Sequence, residues 1–64
     1  MNEFYLKCID AMIVKAKEEN EFALVSILYP LKGSIIAKDT KTMAEYVIHY
    51  TQHMIDKINK VKQN

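Results

Sequence analysis

The segment from Phe22 to Leu31 (FALVSILYPL) is apolar on every side of a helical wheel, in a chain of only 64 residues. On such a helix Leu24 and Leu28 point one way, while Phe22 and Val25 point another. A helix that is apolar all round is normally buried on all sides. A domain of this size buries only about 60% of its unfolded surface, so one copy has little interior for this segment. We therefore expect the chain to pack against copies of itself or against a partner.

The length limits the chain to one domain, residues 1–64, which we expect to be helical throughout. Cys8 is the only cysteine, so no disulfide can form within the chain, and a lone thiol fits a reducing, cytoplasmic setting. Glu3 occupies a place where a signal peptide is basic, so we expect no leader. The longest uncharged stretch, Phe22 to Leu31, has 10 residues against the roughly 20 that span a bilayer. We expect no membrane segment.

Two regions carry clear helical periodicity. In the first, apolar residues recur at helical spacing from Tyr5 to Ala16, and in the second they form a broad arc from Met43 to Val61. Pro30 disfavours a continuing helix, and the only glycine, Gly33, suits a turn, so Pro30 to Gly33 predicts the connection. The favoured fold is an all-α helical hairpin whose first helix runs through the polar residues 17–21. Two hairpins would pair into a bundle, most simply as a homodimer.

Two alternatives remain open. A break near Asn20 would give three short helices instead of a hairpin. An α+β arrangement would place a short β-hairpin, strands 24–29 and 34–37, between two helices. The cap of the last helix is also open among four residues that accept a backbone hydrogen bond: Ser34, Asp39, Thr40 and Thr42.

The candidate interface residues are large apolar or aromatic side chains on the outer side of the first half of the chain, together with two tyrosines at the apolar arc of the last helix. Aromatic residues at the edge of an apolar arc are frequent anchors of protein interfaces, because the ring is buried while a tyrosine hydroxyl remains solvated. The set for an oligomer or partner interface comprises Phe4, Phe22, Val25, Tyr29, Tyr46 and Tyr50.

Lysines gather around the predicted connection and the start of the last helix. Together with helix-terminal amides, Lys32, Lys38 and Lys41 could contact an anion such as a nucleotide, with Tyr29 nearby. The segment is not a phosphate loop, since it has one glycine and no Gly-Lys-Ser/Thr ending.

His49 and His53 are four residues apart, which aligns both imidazoles on one helix face. No third histidine or second cysteine completes a metal site, so we interpret the pair as solvated and expect no metal and no cofactor. No serine, cysteine or histidine arrangement indicates an enzyme.

The leading functional hypothesis is a small, non-enzymatic regulatory protein. It would act as a helical homo-oligomer that binds and modulates a macromolecular partner. We expect the partner to be another protein and the effect to be inhibition by covering its surface. The size and lysine-rich composition suit bacterial or phage regulators. A second hypothesis is an oligomer that sequesters an anionic small molecule such as a nucleotide. A third is a nucleic-acid-binding regulator, which the net charge of +1 and the absence of arginine disfavour.

Overall fold

The computed structural model describes residues 2–62, which form three helices: α1 (Asn2–Glu18), α2 (Phe22–Ile36) and α3 (Thr40–Lys62). The all-α prediction is confirmed, and no strand occurs within this range, so the α+β alternative is wrong. The two-helix hairpin is also wrong, because its predicted connection lies inside α2. Within residues 2–62, α2 packs against both neighbours, while no Cα atom of α1 comes within 8 Å of one in α3.

The break near Asn20 is the alternative that the structure confirms. Asn20 adopts a left-handed φ of 59°. Its N–H donates to the Lys17 carbonyl at 3.1 Å, and the Glu21 N–H donates to the Ala16 carbonyl at 2.8 Å. These two bonds form a Schellman motif, which ends a helix by satisfying its last carbonyls. Asparagine tolerates this conformation better than most residues, so the polar run reverses the chain and does not extend the helix.

Pro30 lies inside α2, so the connection predicted at Pro30 to Gly33 is wrong. Proline removes one hydrogen bond from a helix interior. Here Leu28, two residues before the proline, and Leu31, the residue after it, are buried, and their burial offsets that loss. The connection comes later, where Lys38 adopts a φ of 58° and the Asp39 N–H donates to the Ser34 carbonyl at 2.9 Å.

Asp39 is the residue that caps α3. Its carboxylate accepts hydrogen bonds from the backbone N–H of Thr42 at 3.1 Å and from the Thr42 hydroxyl at 2.7 Å. These bonds, the hydroxyl bond above all, lower the pKa of Asp39 below its ordinary value because they stabilise the charged form.

The core lies between α1 and α2. Leu28 is completely buried at its centre, and Ser34 is buried beside it, with its hydroxyl donating to the Leu31 carbonyl at 2.7 Å. From α3 only half-buried side chains reach this cluster, including Met43 and Tyr50. Tyr5, predicted to continue the α1 core stripe, is 56% exposed. The buried apolar residues are Ile9, Ile13, Ala16, Leu24, Leu28 and Leu31.

Two ion pairs at the surface connect neighbouring helices. The Lys32 ammonium lies 2.6 Å from the Asp10 carboxylate and joins α2 to α1. Lys57 pairs with Glu21 and joins α3 to the start of α2. None of the three helices, over residues 2–62, combines the length and the apolarity that a bilayer crossing requires.

Candidate functional site

An apolar groove runs between α1 and α3, with α2 as its floor. It is open to solvent because the backbones of α1 and α3 do not meet. Its volume of ≈ 530 Å³ is within the range of binding pockets, about 300–1,000 Å³. The lining residues are Tyr5, Cys8, Ile9, Met12, Leu31, Ile35, Met43, Val47 and Tyr50.

Helical spacing explains how each wall is built. Tyr5, Cys8 and Met12 follow one another at intervals of three and four residues, so they share one face of α1. Met43, Val47 and Tyr50 do the same on α3. Each of these faces borders the face that packs on α2, because the side chains of consecutive helical residues point in directions about 100° apart around the helix axis.

The chemistry of the groove is that of an apolar receptor. The only polar side-chain groups in its lining are the Cys8 thiol and the two tyrosine hydroxyls. Cys8 is exposed and unpaired. Methionine side chains are flexible and adapt to differently shaped apolar partners, and the groove has two of them, Met12 and Met43. Such a surface can bind apolar side chains of another molecule.

Three of the predicted interface residues are exposed but do not form one patch. Phe4 is 61% exposed, Phe22 65% and Tyr29 46%. Phe4 lies near the start of α1, about 21 Å along that helix from Glu18 at its end. Phe22 comes after the turn that follows Glu18, so it lies near the opposite end of α1 from Phe4. The Tyr29 ring lies beneath the Lys17 ammonium, 5.0 Å from its centroid.

The other three predicted interface residues lie closer to the core. Val25, Tyr46 and Tyr50 are half-buried and pack against the buried cluster. The Tyr46 ring also contacts His49 edge-on, with the centroids 5.4 Å apart. Only Tyr50 among the six lines the groove.

The lysines of the predicted anion site have separate environments. Lys32 is paired with Asp10 on α1. Lys38 forms the left-handed turn after α2, and Lys41 lies exposed in the first turn of α3.

The two histidines also differ from each other. His49 is exposed, as expected, but His53 is half-buried, and its Nε2 atom has no hydrogen-bond partner within the described range. The interpretation of both as solvated is therefore wrong for His53. Across residues 2–62, no group of three or more metal-binding side chains comes together.

Sequence reasoning missed most of the groove. Tyr5 and Met12 lie in the segment whose periodicity predicts a core stripe, so the sequence gives no reason to place them, or Cys8 between them, in a groove. The signal that could have found them is the width of the apolar arcs on both outer helices, which exceeds what one contact with α2 can cover.

Comparisons with protein-family models, with curated proteins and with solved structures found no match to this chain.

Proposed function

We propose that this chain is a small, non-enzymatic interaction protein that assembles with itself and binds an apolar segment of a protein partner in the groove between α1 and α3. The observation that carries the proposal is the groove itself, an open apolar channel of ≈ 530 Å³ flanked by two helices that do not meet. A grooved helical surface accepts the apolar face of an amphipathic helix, whose side chains enter at helical spacing.

The effect on the partner would be to cover the segment that it binds. Burial of apolar surface is the main driving force of such association. Tyr5 and Tyr50 provide aromatic rings for contact with the partner, and their hydroxyls can remain solvated at the edge of the groove, as is common for interface anchors. A regulator that hides a functional segment of its target needs no catalytic groups, so inhibition by occlusion is the mode of action that we propose.

Matched variants on α1 test the proposal. Tyr5 and Val14 are both 56% exposed, but only Tyr5 lines the groove. Tagged wild-type protein, Tyr5→Glu and Val14→Glu are used as baits in extracts of the native host, after nuclease treatment. We expect the same protein to be retained by wild type and Val14→Glu, and at least about tenfold less by Tyr5→Glu, because a charge in the groove must be desolvated on binding.

The purified partner provides the direct readout. Because Cys8 is the only thiol, an environment-sensitive fluorophore can be attached in the groove alone, and its emission should shift to the blue as the partner is added. Identical retention by Tyr5→Glu and wild type would contradict the groove as the binding site. Retention that occurs only in a parallel extract without nuclease treatment would favour the nucleic-acid hypothesis instead, and a thermal shift with nucleotides would favour the anion hypothesis.

A further inference from the structure

We infer that a second copy of this chain packs on the outer face of α3, as an antiparallel pair of α3 helices related by a two-fold axis. The inference rests on the self-association in the proposed function and names the surface that mediates it. The surface is an apolar stripe at alternating intervals of three and four residues: Ala44, Val47, Thr51, Met54, Ile58 and Val61. We call it the α3 stripe.

The α3 stripe has the spacing of a helix–helix seam, but within residues 2–62 Met54 is its only member that packs against the core, and Val47 borders the groove. A seam of this kind normally inserts its side chains between those of a second helix. Val47 is 47% exposed, Ile58 55% and Val61 71%. Apart from Met54, the side chains that reach the core from α3, such as Tyr46 and Tyr50, are on a neighbouring face. Lys57 pairs with Glu21 at the start of α2, so Ile58 and Val61 extend beyond the end of that helix.

Thr51 is the only polar residue of the α3 stripe, and its hydroxyl is already satisfied. It donates to the Val47 carbonyl one turn earlier, at 2.9 Å. The hydroxyl therefore needs no partner from another molecule, and Thr51 can be buried in an interface without an unsatisfied donor.

The exposed area of the chain also agrees with a missing partner. A compact 7.5 kDa protein is expected to expose about 4,250 Å², but this chain exposes 4952 Å². The excess is about 700 Å², to which the open groove also contributes, and a standard interface buries roughly 800 Å² on each partner, so the chain exposes enough surface for a dimer interface. A two-fold interface uses the same surface on both copies, so a single stripe is sufficient.

The flanking residues favour the antiparallel direction. Ile48 and Ile55 border the α3 stripe on the side away from α2 and are 65% and 45% exposed. In an antiparallel pair, Ile48 of each copy faces Ile55 of the other. In a parallel pair they would face Met43 and Tyr50 instead, which are already packed against the core.

The first experiment compares the oligomeric state of two variants by size exclusion with light scattering. Ile58 is 55% and Val14 56% exposed, so a glutamate costs the isolated fold little at either site. At about 100 µM we expect wild type and Val14→Glu to have about twice the 7.5 kDa chain mass. Ile58→Glu should have the mass of one chain and an unchanged helical circular dichroism spectrum.

Charge exchange then tests the direction of pairing, and it remains informative if Ile58→Glu fails to fold. Ile48→Glu and Ile55→Lys should each weaken the dimer at least tenfold. The double variant should regain a dimer, because each glutamate then faces a lysine of the second copy only in the antiparallel arrangement. Absence of rescue would overturn the antiparallel pair.

The outcomes separate this inference from the proposed function. A monomeric wild-type protein would overturn both the α3 pairing and the proposed self-association. A wild-type dimer that Val14→Glu disrupts and Ile58→Glu leaves intact would overturn the α3 pairing alone, and would place the self-interface on the outer face of α1.

Discussion

At the residue scale, two non-glycine residues in left-handed conformations decide where the helices end. Asn20 and Lys38 have φ values of 59° and 58°, and each occupies the same position of a Schellman motif. An asparagine there is favourable enough to be anticipated from sequence. A lysine is not, because its side chain provides no local compensation for the strained backbone.

Replacement of Lys38 by glycine should therefore stabilise the protein. The left-handed conformation costs a side-chain-bearing residue about 1–2 kcal/mol, part of which the greater unfolded-state entropy of glycine cancels. We expect Lys38→Gly to raise the free energy of unfolding by roughly 0.5–1 kcal/mol in urea denaturation at a fixed protein concentration.

Lys41→Gly is the control for that measurement. Lys41 lies within α3, so the same change should lower the free energy of unfolding by up to about 1 kcal/mol. A loss of stability in both variants would mean that the turn after α2 is not strained at Lys38.

The cap of α3 predicts a pH dependence. The Thr42 hydrogen bonds lower the pKa of Asp39 below 3.8 in the folded protein, so the folded state favours the charged carboxylate. The resulting stability is present above the unfolded pKa and is lost as pH falls through the folded pKa.

Asparagine also caps helices but does not titrate, so Asp39→Asn is the reference for this effect. We expect the stability of wild type to fall relative to Asp39→Asn as the pH is lowered from neutrality to below 3.8, measured by thermal unfolding. A constant difference between the two proteins across that range would exclude a role for the Asp39 charge in capping.

At the element scale, α2 contradicts the local preference of its sequence. Pro30 and Gly33 both disfavour the interior of a helix, yet α2 continues through them to Ile36. The reason is burial: Leu24, Leu28 and Leu31 form one row that packs on α1, and Ser34 extends that row. Propensity is a weak local term that tertiary contacts override.

Pro30→Ala should consequently stabilise α2. Proline in a helix interior is about 3 kcal/mol less favourable than alanine. The ring of Pro30 is half-buried, and its packing offsets part of that cost. We expect a gain of about 1–2 kcal/mol in the free energy of unfolding, measured in guanidinium chloride.

The neighbouring change, Leu31→Ala, should have the opposite sign. Leu31 is 8% exposed, and removal of such a side chain costs about 2–5 kcal/mol. If Pro30→Ala were instead destabilising, the proline ring would contribute more to packing than the missing hydrogen bond costs.

At the scale of the whole molecule, the three helices form an open arrangement in which α2 is covered on two sides. Among the side chains that the structure describes, α1 contributes three buried apolar residues to the core and α3 contributes none. The chain therefore has a firm pair, α1 with α2, and a third helix held by half-buried contacts and the Lys57–Glu21 pair.

This difference should be measurable by amide hydrogen exchange. In a monomeric variant such as Ile58→Glu, we expect the slowest exchange around Leu28 and the fastest, apart from the termini, in the last turns of α3, because local opening there exposes little buried surface. In the dimer that we infer for the wild-type protein, the same α3 amides should gain protection. Equal protection of α2 and α3 in the monomer would contradict the loose attachment of α3.

The sequence by itself determined the helical class, the register of the core stripes on α1 and α2, and the surplus of apolar surface. All three follow from periodicity and composition, which are properties of the chain before it folds. The Ile9, Ile13 and Ala16 row and the Leu24, Leu28 and Leu31 row are buried as their spacing predicts.

Only the tertiary structure decided where the helices end and where the surplus apolar surface lies. Both are set by competition between local preference and burial. Pro30 stays helical because Leu28 and Leu31 in the same helix are buried, and the chain reverses at Asn20 and Lys38 instead. The groove and the α3 stripe exist because α1 and α3 each pack on α2 and not on each other. No local pattern encodes that choice, since it depends on which faces meet once all three helices compete for the same core.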